Sequence, residues 1–234
     1  MPNPIFVALD TTEAGKAATL AARLQGLVGG IKLGLEFFAV QGPGGVEAAG
    51  HLGLPLFVDL KLHDIPNTVA GAMKGIVRMR PMLTTVHASG GAEMMTAAVA
   101  AAGDEAARLG ITPPKVLAVT ILTSLDAESM GAVGFAGAVL DQVKRLADLA
   151  QKAGVGGLVC SPLEVAALRA QVGRDLILVV PGIRPIWSET GDQKRVLTPR
   201  EAIDQGADYL VIGRPITAAH DVAAAARRIS AELR

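Results

Sequence analysis

One cysteine, one tryptophan and one tyrosine occur in 234 residues, and aromatic side chains make up only 3% of the chain. Cys160, being alone, excludes an internal disulfide. No Cys/His cluster has the spacing of a zinc ligand set, so no metal site is read, and the setting expected is a reducing cytoplasm. So few aromatic rings leave few platforms on which the bases of a single strand could stack. Net charge is missing too: 22 Lys and Arg balance 22 Asp and Glu. No overall field therefore draws the chain to nucleic acid or to an anionic membrane. The apolar runs fall well short of the roughly 20 residues of a membrane span. Met1 to Ile5 lacks the basic segment and apolar stretch of an export signal. The partner these absences leave is a small molecule.

What the chain does have is apolar material, half of its residues being hydrophobic. The composition does not shift along the chain, so residues 1–234 are expected to form one domain. Short runs rich in Val, Ile and Leu recur at Ile5 to Leu9, Gly30 to Leu33, Leu56 to Leu60, Met82 to Val86, Val116 to Leu122, Gly157 to Cys160, Leu176 to Val180 and Tyr209 to Ile212. Between them lie Ala-rich segments with helical spacing, among them Thr12 to Leu24, Ala92 to Arg108, Leu140 to Ala153 and Ile216 to Leu233. Strand followed by helix, about eight times over, is the count of an α/β fold of the (β/α)8 TIM-barrel type. A doubly wound sheet is the competing architecture, but it often carries a Gly-rich dinucleotide loop after its first strand. Here Asp10-Thr11-Thr12-Glu13 follows instead and reads as a polar turn and helix N-cap.

The most informative run is Phe57-Val58-Asp59-Leu60-Lys61-Leu62-His63-Asp64-Ile65-Pro66-Asn67-Thr68-Val69-Ala70. Three charged residues interrupt or follow an apolar strand that reads as covered on both sides. Alternation puts Asp59 and Lys61 on one face, with Asp64 just beyond the strand end. His63 is expected by the same alternation to turn away from them. Asp64, standing before Ile65-Pro66, could also cap the helix that starts there. In a barrel the chemistry sits where strands end and βα loops begin. The polar residues at those ends are Asp10, Lys32, Asp59, Lys61, Asp64, His87, Thr123, Ser124, Ser161, Arg184 and Arg214.

With these residues in place the chain resembles a known family, the bacterial-type orotidine 5′-phosphate decarboxylases, which convert OMP to UMP. The resemblance rests on Asp59-x-Lys61-x-x-Asp64-Ile65-Pro66-Asn67-Thr68. It is supported by Ala8-Leu9-Asp10, Ile31-Lys32, Val86-His87-Ala88, Val119-Thr120-x-x-Thr123-Ser124, Pro181-Gly182-Ile183-Arg184, Asp192-Gln193-Lys194-Arg195 and Ile212-Gly213-Arg214-Pro215. These pieces span residues 8 to 215 in the family's order.

The resemblance implies a cofactor-independent enzyme of pyrimidine biosynthesis. Lys61 would be the proton donor and Asp59 the carboxylate beside the departing one. Asp10 would bind the ribose, with Lys32 its charged neighbour. Thr123 and Ser124 would recognise the pyrimidine, with Pro181 beside the substrate, and Gln193 would bridge base and phosphate. Arg184, Gly213 and Arg214 would hold the phosphate. A homodimer with shared sites is also implied, Asp64, Ile65 and Thr68 reaching into the partner's site. Carboxylates flanking Lys61 would favour its ammonium form.

Plainer roles exist for several of these residues. Asp59 and Lys61 could be a salt bridge at a barrel mouth, Arg214 a surface arginine, and Arg184 and Gln193 solvated loop residues. His87 reads as a hydrogen-bonded histidine beside the site's charges rather than a catalytic one, and Cys160 as a packed core residue. Asp141, Lys144, Arg145 and Asp148 read as a solvated helix face. Two other functions compete. One is a Mg²⁺-dependent sugar-phosphate decarboxylase or aldolase sharing Asp-x-Lys-x-x-Asp, for which Glu36 is the candidate extra carboxylate. The other is a phosphate-binding barrel without catalysis, which would not retain the Asp59 and Lys61 pair.

Overall fold

The computed structural model describes residues 3–188 and 197–233. Eight parallel strands close in sequence order into a barrel: β1 (Ile5–Ala8), β2 (Gly30–Gly34), β3 (Leu56–Leu62), β4 (Leu83–His87), β5 (Lys115–Val119), β6 (Gly157–Val159), β7 (Ile177–Val180) and β8 (Tyr209–Ile212), with β8 pairing back onto β1. The doubly wound alternative is thereby ruled out.

The strands stay continuous because both of their faces are covered. Inward-facing Phe6, Ala8, Phe57, Leu83, Leu117, Val119, Val159, Val179 and Val211 fill the barrel. Phe6 is its centrepiece, meeting the rings of Phe57 and Tyr209 edge-on at centroid distances of 6.0 and 5.3 Å. Gly30 makes room for it: a Cβ there would lie 2.3 Å from the Phe6 ring. The opposite strand faces pack under the helices. Helix α1 (Ala14–Leu24) buries Ala17, Ala21 and Leu24, at the four-then-three spacing of one helical face. Helix α3 (Pro66–Arg78) does the same with Val69, Met73, Ile76 and Val77.

Helix α2 (Leu35–Gly50) is broken at Gly42, whose φ of 60° precedes Pro43. Helix α4 (Ala92–Leu109) ends on Gly110 in the left-handed conformation. It is tied to α3 through Glu105, whose carboxylate accepts from Arg78 and Arg108. Hydrogen bonds from Arg108 and then Arg78 hold that carboxyl down at about 2.

Most element boundaries departed from expectation by a residue or two, and three departures bear on local structure. The strand expected to reach Leu122 stops at Val119, and the chain turns so that Ile121 and Leu122 face the barrel mouth. The segment expected as one helix from Ile216 to Leu233 is two, α9 (Arg214–Thr217) and α10 (Val222–Glu232). Asp221 divides them by accepting the Ala223 and Ala224 amides as the N-cap of α10. At the start of α1 the N-cap is Glu13, with no side-chain cap, while the Thr11 hydroxyl accepts the Glu13 amide. Between α4 and α9 lie α5 (Ala127–Ala132), α6 (Val139–Lys152), α7 (Val165–Val172) and α8 (Pro199–Asp204). Asp141, Lys144, Arg145 and Asp148 are exposed on α6 as expected.

Candidate active site

At the C-terminal ends of the strands a cavity of about 590 Å³ opens into the barrel. Phe57, Val119, Val159 and Val211 of the inner cluster reach it from below, and Ile121, Leu122 and Cys160 add further apolar wall. Among the described residues its charged lining is Asp10, Lys32, Asp59, Lys61, Arg184 and Arg214. Four cations against two carboxylates suit an anionic ligand.

The charges are divided between two poles. At the first, Asp59 is only 7% exposed on β3 and both of its carboxylate oxygens are engaged. Oδ2 lies 2.8 Å from Lys61 Nζ and 3.4 Å from Lys32 Nζ, while Oδ1 accepts from the Thr85 hydroxyl at 2.9 Å. Burial on its own would raise the Asp59 carboxyl. The Lys32 and Lys61 ammoniums, with hydrogen bonds from Lys61 and Thr85, overcome it and hold the group below its ordinary value. Lys32 also stands 3.8 Å from the exposed Asp10. Thr123 and Ser124, on the turn after β5, line the same cavity.

At the second pole Arg184, after β7, and Arg214, after β8, face the cavity together with Pro181, Gly182 and Gly213. Burial, reinforced by repulsion from Arg214, holds the Arg184 guanidinium below its usual value. An anion between the two would relieve that repulsion. A Cβ added at Gly213 would stand in ordinary contact with Ala8 and Asp10, at 3.6 Å from each.

Strand β3 reaches this geometry by abandoning regular pairing. Val58 pairs with Thr84 and Leu62 with Val86, so four steps along β3 pass two along β4. Lys61 takes a φ of 52°, the left-handed region that non-glycine residues rarely enter. The alternation argument for His63 fails here, since unbroken alternation would put residues 59, 61 and 63 on one side. The bulge turns His63 off: its ring lies 5.6 Å from that of His87, and it does not line the cavity. His87 is likewise off the lining, its imidazole held below its usual value by burial and then by His63 and Lys61.

Of the residues expected at the site, the structure brings Asp10, Lys32, Asp59, Lys61, Thr123, Ser124, Pro181, Arg184, Gly213 and Arg214 to one cavity. Asp64, Ile65 and Thr68 are not brought there: all three are exposed on the outside of the βα turn after β3. Asp64 does not cap α3 either. Its carboxylate accepts the amide of Ile65, which is itself the N-cap, followed by Pro66 in the first turn. Ser161 is buried at the start of a short 3-10 turn, away from the cavity lining. Gln193, with Asp192, Lys194 and Arg195, lies outside the described residues. Cys160 is buried as expected, but it also borders the cavity, with its thiol pushed far up by burial. Glu36 is exposed on α2 and is not part of the lining.

Sequence reasoning missed Thr85. The signal available was its place two residues before His87 on a strand whose other inward residue, Leu83, is apolar.

A closed barrel with an acid–lysine pair and two arginines gathered in one cavity at the C-terminal ends of its strands defines the class, an α/β-barrel enzyme. The chain belongs to the Orotidine 5′-phosphate decarboxylase / HUMPS family, whose sequence model matches residues 3–229. It is 67% identical over 233 residues to the orotidine 5′-phosphate decarboxylase of Paramagnetospirillum magneticum, covering 100% of this chain and 99% of that one. It is 60% identical to that of Rhodospirillum rubrum, over 99% of this chain and 94% of the relative. The crystal structure of orotidine 5′-phosphate decarboxylase from Lactobacillus acidophilus superposes with a TM-score of 0.88 at 35% identity, covering 99% of both chains. Among the described residues no helix is long and apolar enough to cross a membrane.

Proposed function

We propose that this chain decarboxylates orotidine 5′-monophosphate to UMP, the last step of de novo pyrimidine nucleotide synthesis, without a cofactor. The observation that carries this reading is the pairing, in one cavity, of the buried Asp59–Lys61 contact with the Arg184–Arg214 pole. OMP carries a carboxylate on its base and a phosphate at the far end of its ribose, so its charges are divided as the cavity's are.

Loss of CO₂ from C6 leaves an electron pair in an sp² orbital with no conjugated sink. The Lys61 ammonium, fixed by its 2.8 Å contact to Asp59, stabilises that pair and then transfers a proton to C6. Asp59 stands where the departing carboxylate is crowded, and Lys32 balances its charge. Asp10 and Lys32 hold the ribose. Thr123 and Ser124 read the pyrimidine edge beside Pro181, and Gln193 joins base to phosphate. Arg184, the Gly213 amide and Arg214 grip the phosphate. Enzymatic barrier reductions of about 20 kcal/mol exceed what one lysine supplies, so the distant phosphate contacts must help organise the charged pole. The working unit is a single-domain cytoplasmic homodimer in which Asp64, Ile65 and Thr68 complete the partner's site.

A Mg²⁺-dependent reaction on a sugar phosphate is the nearest competitor. It is disfavoured by the place of Glu36, which is exposed and off the cavity. Loss of OMP absorbance, followed with and without EDTA, separates the two. Turnover that survives chelation is expected, and strict Mg²⁺ dependence with a pentulose or hexulose phosphate as the only substrate would refute the proposal.

Arg214→Ala tests the phosphate grip. The phosphate is bound in ground and transition states alike, so most of the loss should appear as a KM raised about ten- to a hundredfold, and the part of the grip that organises the charged pole should appear as a smaller fall in kcat. Steady-state kinetics on OMP check it, and an unchanged KM would remove Arg214 from the phosphate site.

A further inference from the structure

We propose that Thr85 is a positioning residue for the decarboxylation, its hydroxyl fixing both the Asp59 carboxylate and the Lys61 backbone. The inference rests on the functional reading above and deepens it. Thr85 lies on β4, fully buried, and its hydroxyl is used twice. It accepts the Lys61 amide at 2.9 Å and donates to Asp59 Oδ1 at 2.9 Å.

Both contacts occur where β3 is irregular. Between Val58 and Leu62 the ladder to β4 is interrupted, and the Lys61 amide finds a threonine side chain as its acceptor. A buried amide without an acceptor is destabilising, and a non-glycine residue in the left-handed region adds strain of its own. Thr85 removes the first of these costs and so helps Lys61 keep its φ of 52°. By engaging Oδ1 it also fixes the carboxylate plane, leaving Oδ2 for Lys61 and Lys32. One hydroxyl thus sets the relative placement of acid and ammonium, which sequence alternation alone does not.

The charged groups around Asp59 are Lys61 on its own strand, Lys32 on β2 with Asp10 beyond it, and His87 on β4. None of these replaces the donor on Oδ1. Removing the hydroxyl therefore raises the carboxyl pKa and moves the acid limb of kcat/KM to higher pH, since a hydrogen bond to the ionised form favours it.

The decisive comparison is Thr85→Ser against Thr85→Ala, which differ only by the hydroxyl. Thr85→Val repeats it at nearly native volume should the alanine variant fold poorly. The Ser variant should retain kcat within about threefold of the parent. The Ala and Val variants should lose about ten- to a hundredfold in kcat, with a small change in KM and an acid limb displaced upward. Equal kcat and superimposable pH profiles for the Ser and Ala variants, or a Ser variant as impaired as the Ala one, would overturn the inference. If the parent protein itself fails to turn over OMP, the decarboxylase reading falls instead.

Discussion

Lys61→Ala should abolish UMP formation, lowering kcat by about 10⁴-fold or more, while the protein still folds and still binds UMP. Two losses coincide in that variant. The proton donor disappears, a contribution typically of about 10² to 10⁴. So does the cation facing the developing charge at C6, worth about 10² to 10³ when one such preorganised group is removed. Neither is recovered from Lys32, whose ammonium stands 3.4 Å from Asp59 on the neighbouring strand and serves to balance the carboxylate. Folding should survive because Asp59 keeps two partners, Lys32 and Thr85, and is not left as an uncompensated buried charge. Nucleotide binding should survive because Arg184 and Arg214 lie at the other pole. Single-turnover measurement on OMP, with calorimetric titration of UMP on the same sample, reads both quantities. Near-normal turnover would refute the assignment of Lys61. Loss of UMP affinity in parallel with turnover would make Lys61 a binding residue rather than the proton donor.

The separation of poles that this experiment exploits was legible in the sequence to different degrees. The barrel was readable because strands covered on both faces appear as unbroken Val, Ile and Leu runs, and Tyr209–Ile212 was bounded to the residue. The cavity's charged residues were readable because charges at the ends of such runs have no packing reason to be there. What periodicity could not supply was the break in periodicity. The bulge at β3 and the left-handed Lys61 depend on a hydroxyl from β4, a tertiary contact between residues 24 apart in sequence. The same break is why the His63 side chain leaves the site, although alternation alone would have kept it on the face of Asp59 and Lys61. Similarly, Asp221 starts a second helix inside an Ala-rich stretch whose composition favours continuous helix. Local propensity there is overruled by a side chain capping two amides.

Mixing Lys61→Ala protein with Asp64→Ala protein, each inactive alone, should restore decarboxylation. Within one chain Asp64 does not line the cavity: it is exposed, and its carboxylate accepts the Ile65 amide. Beside it Ile65 is 66% exposed, an apolar side chain presented to the outside at the turn that follows the catalytic strand. Thr68 is exposed one turn into α3. A carboxylate, an isoleucine and a threonine on one outer turn are what a two-fold partner would receive if the site were shared, since an isologous contact carries each chain's turn to the other's cavity. In a mixed dimer the cavity of the Lys61→Ala chain lacks its own lysine and also receives the substituted position 64 of the Asp64→Ala chain. The cavity of the Asp64→Ala chain keeps its own Lys61 and receives an intact Asp64 from the Lys61→Ala chain. The two mutations therefore fall into the same cavity, and one wild-type cavity remains. Free exchange of equal amounts would leave about one quarter of all cavities intact, so activity should return to about that fraction of the parent's. Differently tagged copies, purified as the mixed dimer, establish that exchange has occurred. Confirmed mixed dimers without activity would mean that Asp64 acts within its own chain, and would return it to a local role at the Ile65 amide.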